Sequence, residues 1–223
     1  MVDGEAIAWE RDIRPEITAA RDAVLERIAG PGSWWTGAER AALVSAGRAA
    51  WAQRATPPWL REAPSQASEA LPGAALAVAR TVAADAHRID REWSAGQVAE
   101  LGDAAYVEIV GLIACSVALD AFCGAVGATA PTLPAARGGD PDRVRPGGLA
   151  DIGAFVPMTD PFPGPNVGRA LSLAPGEQQA FFRLVGAMYA VADFQELVWE
   201  RPLDRPQVEL VAARVSALNE CFY

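Results

Sequence analysis

Apolar residues recur at helical spacing through most of this chain, and nowhere do they keep the two-residue alternation of a half-buried strand. Ile13, Ile17, Val24, Leu25 and Ile28 form one stripe, and Gly30-Pro31-Gly32 ends it, so a helix is predicted over 13–28. Thr36 followed three residues later by Glu39 has the form of a capping box and opens a second helix to about residue 54. Residues 73–93, rich in alanine and valine, read as a third, and Trp93-Ser94-Ala95-Gly96 as the start of a short amphipathic helix or turn. Residues 104–126 are apolar almost throughout, which predicts a buried helix. A short helical piece over 167–173 and a longer one over 175–192 follow, the latter with Phe181, Leu184, Val185 and Met188 on one face. Asp204-Arg205-Pro206 places a capping residue ahead of a first-turn proline and begins the last helix, which runs toward Cys221. The fold class is all-α.

Two stretches break the pattern. Residues 57–72 form a Ser/Pro-containing connector, and residues 124–168 carry many Pro, Gly and Asp with little periodicity. The second is longer than ordinary loops, so it either packs over the surface or is mobile. This divides the chain into an N-terminal helical half (1–126), a Pro/Gly-rich linker (127–165) and an incomplete C-terminal helical half (166–223). A short internal match supports two related halves: Val107-Glu108-Ile109-Val110 resembles Val208-Glu209-Leu210-Val211 at an offset of 101. Carried on without gaps, the offset sets Asp120 opposite Cys221, so one half has D-x-x-C where the other begins C-x-x.

Charge and composition narrow the function. The net charge is −9 and no basic stripe is present, which argues against nucleic acid as a partner. All 19 basic side chains are arginine, so lysine-based Schiff-base or phosphate-loop chemistry is excluded. Met1-Val2-Asp3-Gly4-Glu5 has no secretory character. The most apolar run, 109–119, has eleven uncharged residues, too few to span a bilayer. A cytoplasmic protein without a membrane segment is expected. Three cysteines at wide spacing do not make a disulfide framework, and one histidine does not supply a metal site.

The segments Tyr106-Val-Glu-Ile-Val-Gly111 to Ala118-Leu-Asp-Ala-Phe-Cys-Gly-Ala-Val-Gly127, and Pro165-Asn-Val-Gly-Arg-Ala-Leu-Ser-Leu-Ala-Pro175 with 204–223, resemble the alkylhydroperoxidase D–like branch of the carboxymuconolactone decarboxylase superfamily. The resemblance covers residues 71–127 and 165–223. It implies a helical bundle carrying a glutamate, then C-x-x-C or C-x-x-U, then a histidine four residues after the second redox residue. Glu209 and Cys221 keep the family spacing of twelve residues, and the second redox residue would follow Tyr223. The implied activity is reduction of a hydroperoxide with a thiol reductant, Cys221 being the nucleophile and Glu209 part of its proton relay. Without the second redox residue that activity is expected to be absent or impaired. A homo-oligomer is implied, and no flavin, haem, nucleotide or metal. Decarboxylase chemistry on a muconolactone rests on superfamily kinship alone.

Chemistry explains why these groups are needed. The thiolate attacks a peroxide, and an ordinary cysteine is mostly protonated at neutral pH. A carboxylate–imidazole relay removes the proton, and a partner thiol resolves the sulfenic acid. On one straight helix Glu209 and Cys221 would stand about 18 Å apart, so the chain is expected to break between them, with Ser216 or Asn219 capping a new helix.

Other residues carry two readings each. His87 is an ordinary surface or interface residue, or the remnant of a degenerate site with Arg80 and Ala83 at the cysteine positions. Cys115 and Cys123 lie eight residues apart in one helix, about 80° around it and about 12 Å along it, and so cannot pair. They are small buried hydrophobes, or Cys123 with Glu108 and Asp120 marks a vestigial or partner-facing site. Glu108 in an apolar run needs a partner, for which Arg80 and Arg88 are the candidates, and it reads either as a structural pair or as part of a proton relay. A non-catalytic scaffold or small-molecule-binding protein of the same fold is the alternative to the peroxidase.

Overall fold

Helix α5 (Asp103–Val126) is the axis on which the other helices pack in the computed structural model, which describes residues 12–61, 71–189 and 202–219. Around it stand α1 (Pro15–Ala29), α2 (Gly37–Ala52), α3 (Gly73–Ala84), α4 (Arg91–Leu101) and α6 (Pro175–Met188). A last helix, α7 (Arg205–Leu218), contributes no buried residue. The described residues are thus mostly helical, as the periodicity requires. By length and composition α5 would suit a bilayer; here five helices contact it and 13 of its 24 residues are buried. Ile109, Leu112, Ile113 and Leu119 are all but inaccessible to solvent.

The helix ends follow local chemistry. The Thr36 hydroxyl accepts the Glu39 amide at 3.3 Å, and the Glu39 carboxylate accepts the Thr36 amide at 2.8 Å, completing the capping box of α2. Asp204 and Gln207 do the same for α7. Gly127 adopts φ +74°, and Ala128 donates to the Cys123 carbonyl at 3.0 Å. A side chain would be strained at this left-handed position, which is why glycine closes α5.

The predicted continuous helix over 73–93 is interrupted. It ends at Ala84, makes a single tight turn over Ala86–Arg88 and restarts as α4. Arg61 holds both carboxylate oxygens of Asp85 at the break. Asp90 then accepts the Trp93 amide at 2.8 Å and caps the new helix. What read as a brief turn at Trp93 is the first turn of an eleven-residue helix.

The long linker packs over the surface. Its backbone reaches the α1–α2 corner through Arg137 N–H to the Ala29 carbonyl (2.7 Å) and Arg143 N–H to that of Ser33 (2.9 Å). A two-residue antiparallel ladder, β1 (Leu149–Ala150) with β2 (Met158–Thr159), pairs Leu149 with Thr159. Val156 of the linker, Leu173 and Leu184 join the same core as α1–α5, so one core runs through both predicted halves.

Candidate functional site

Four helices meet at the guanidinium of Arg40. Its Nη1 donates to Glu108 Oε1 of α5 at 2.5 Å and to Glu177 Oε1 of α6 at 2.9 Å, and its Nη2 to the Arg27 carbonyl of α1 at 3.1 Å. Arg27 approaches the same Glu177 oxygen through Nε (2.8 Å) and Nη2 (2.7 Å). The Trp34 amide donates to the second Glu108 oxygen at 2.8 Å. Arg40, Glu108 and Glu177 are fully buried, and the partly exposed Arg27 at the edge of the cluster brings two arginines against two carboxylates, so the charges balance. Glycines permit the approach. A Cβ on Gly32 would fall 1.7 Å from Glu108 Oε1, and one on Gly111 2.6 Å from Glu177 Cβ. Burial pushes the Glu108 carboxyl up, Arg40 pulls it down, and Glu177 adds to the upward push. Burial likewise lowers the Arg40 value, but Glu177 and Glu108 outweigh it and raise the guanidinium further. Arg40 Nε is buried without a partner. Glu108 is therefore paired with Arg40, not with Arg80 or Arg88.

Both described thiols are buried and free. Cys115 stands close enough to the ion cluster to feel it. Burial, with Glu177 adding to it and Arg40 and Arg27 opposing, pushes its thiol up to about 12. Cys123 packs with Ile17 in a small satellite cluster. Its thiol is raised by burial and then by the Asp120 charge, with Arg48 opposing. Asp120 is clasped by Arg48 through two contacts of 2.8 and 2.9 Å, while Arg48 Nη1 donates to the Pro131 carbonyl at 2.9 Å. Burial raises the Asp120 carboxyl against that pairing. The position four residues after Cys123 is Gly127, which closes the helix and has no imidazole to offer.

Glu209 is placed differently from Glu108. It stands on the exposed helix α7, where its carboxylate accepts the Tyr189 hydroxyl at 3.1 Å and faces Arg205 Nε at 3.4 Å. Helix α7 runs without a break from Arg205 through Ser216 to Leu218, and Asn219 is its C-terminal cap. Ser216 thus sits inside a helix and does not start a new one. Cys221 lies outside the described residues. Of the candidates, Glu108 is in the ion cluster, Asp120 and Cys123 are at the far end of α5, Glu209 is on α7, and His87 is in the turn before α4. The fold does not gather them at one point.

It does build a cavity of about 960 Å³ at His87. Trp51 of α2, Val82 of α3, Val117, Ala118 and Ala121 of α5 form its apolar walls, and Val215 and Leu218 of α7 line its open outer side. Its polar groups are His87, Arg54, Ser216 and Asn219. Trp51 falls within the helix predicted to about residue 54 and Val82 within that over 73–93, but periodicity alone does not show that they face an open space. The one signal in the sequence was the lone histidine beside an alanine-rich helix. No group of three or more His, Cys, Asp and Glu is placed to hold a metal ion among the described residues.

Comparison of the chain with protein-family models, with curated proteins and with solved structures finds no match in any of the three.

Proposed function

We propose that this chain binds a small organic molecule in the cavity between α2, α3, α5 and α7, on a helical framework of the alkylhydroperoxidase D–like kind. The cavity carries the reading. Its volume of about 960 Å³ falls within the range of about 300–1,000 Å³ usual for small-molecule sites. Its walls are apolar and its few polar groups are available to orient a ligand. Peroxide chemistry at Cys115 or Cys123 has no such support, since each thiol is buried and burial pushes its ionisation up, away from the reactive thiolate. The test is binding of a neutral apolar probe, 1-dodecanol, followed by calorimetry. Saturable 1:1 binding is expected, weakened at least about tenfold in Ala121→Trp, which fills the cavity from an exposed position on α5. Equal binding by that variant, or none by the wild type, defeats the reading.

A second reading, reduction of an alkyl hydroperoxide at Cys221, has one observation in its favour. Ser216 and Asn219 line the cavity, and Cys221 follows Asn219 by two residues. An alkyl hydroperoxide also has the apolar body and polar end that the cavity suits. The Cys221 thiolate would attack the terminal oxygen, releasing the alcohol and leaving a sulfenic acid. An external dithiol would reduce the sulfenic acid to the thiol, itself becoming a disulfide, with loss of water. Consumption of cumene hydroperoxide with dithiothreitol is expected to vanish in Cys221→Ser and to persist in Cys115→Ala and Cys123→Ala. Turnover that survives in Cys221→Ser removes this reading.

A further inference from the structure

We infer that the cavity takes an amphipathic organic anion, with its apolar body against Trp51, Val117 and Ala121 and its acidic head at the end marked by Arg54, His87 and Arg88. The inference rests on the small-molecule reading and names the ligand class. Beside the apolar cavity lies a second hollow of about 740 Å³, and Arg54 and His87 line both, so the two spaces adjoin. The second is bounded by Arg61, Arg88 and Trp59 as well, and Asp85 is the one carboxylate lining either space among the described residues.

That carboxylate is already engaged. Arg61 holds both of its oxygens, and this pairing keeps the Asp85 carboxyl below its usual range. Arg54 and Arg88 form no ion pair among the described residues. Arg54 lies over the Trp51 ring, 3.8 Å from its centroid, and spends one N–H on the Trp51 carbonyl at 3.0 Å. Its guanidinium is thereby fixed at the wall of the apolar cavity with donors to spare. In a chain of net charge −9, Arg54 and Arg88, neither in an ion pair of its own and Arg88 sharing its charge with Asp85 only at longer range, make this rim locally positive beside His87. A carboxylate receives two parallel N–H donors from a guanidinium, a geometry that an alcohol or an amine cannot use. Trp59, 81% exposed on the same rim, adds an apolar surface where the head meets solvent.

The experiment compares dodecanoate, 1-dodecanol and dodecylamine, each below its aggregation threshold, by calorimetric titration of the full chain. Dodecanoate is expected to bind about tenfold or more tightly than dodecanol, and dodecylamine more weakly than either. Arg54→Gln with Arg88→Gln should remove the preference for the anion, bringing dodecanoate down to the value that dodecanol has with the same variant. Both arginines are exposed, so the variant is expected to fold, which its circular dichroism and melting temperature check. Equal binding of the three probes, or a dodecanoate affinity unmoved by the double substitution, overturns the anionic class while the cavity reading stands. Failure of all three probes to bind overturns both.

Discussion

Asp85 sits at the end of α3, its backbone N–H bonded to the Thr81 carbonyl, and its carboxylate anchors the segment that carries Arg61. The Arg61 hydrogen bonds dominate its environment, burial opposes them, and the Arg61 and Arg88 charges add to them, so its folded pKa lies below the unfolded value. Such a group stabilises the fold above its unfolded pKa of about 4, and that contribution is lost as the pH falls through the folded value. Asp103, held by Arg145, acts with the same sign. Glu108, whose carboxyl is raised by burial, has the opposite sign and favours the fold at lower pH. The prediction concerns Asp85 alone. Between pH 6 and pH 3 the urea midpoint of Asp85→Asn should fall less than that of the wild type. Parallel pH profiles for the two proteins would show that the pairing contributes nothing to acid sensitivity.

At the scale of elements, equal caps should have unequal consequences. Thr36 and Asp204 each complete a capping box, and replacing either with alanine removes a contribution of about 1 kcal/mol. Helix α2 is part of the core, so Thr36→Ala should lower the global melting temperature by roughly 2–4 °C. Helix α7 buries no residue, and Leu210, Val211 and Leu218 are exposed on it. Asp204→Ala should therefore leave the melting temperature in place and speed amide exchange in α7 by about fivefold. A global shift equal to that of Thr36→Ala would mean that α7 unfolds with the core. These caps were legible in the sequence because a capping box closes within four residues. The interruption at Asp85 was not, because its partner Arg61 lies 24 residues away along the chain. Of the two residues expected to cap a new helix before Cys221, Ser216 lies inside α7, while α7 ends at Asn219 and the residues after it lie outside those described.

At the scale of the whole molecule, the Arg40 cluster joins α1, α2, α5 and α6 through charged groups that have left water together. A balanced cluster of this kind adds little over an apolar core of the same shape, but removing one member leaves a buried charge short of its partner. Glu108→Ala is expected to cost about 3–5 kcal/mol, on the order of 10 °C in melting temperature. A loss below about 1 kcal/mol would show that water or Glu177 replaces the missing carboxylate without difficulty.

By itself the sequence determined the helical class, the extent of α5, the capping box at Thr36 and the helix start at Asp204, and it marked Glu108 as a carboxylate in need of a partner. All of these are set by periodicity and by contacts within a few residues. The tertiary structure alone decided which partner Glu108 takes, since Arg40 and Glu108 are 68 residues apart and Arg40 and Glu177 are 137. It also decided that the linker lies on the body and that His87 opens onto a cavity. Helical periodicity says which side of a helix is apolar but not what that side meets. A cavity is a mismatch among several such sides, and it exists only once they are packed together.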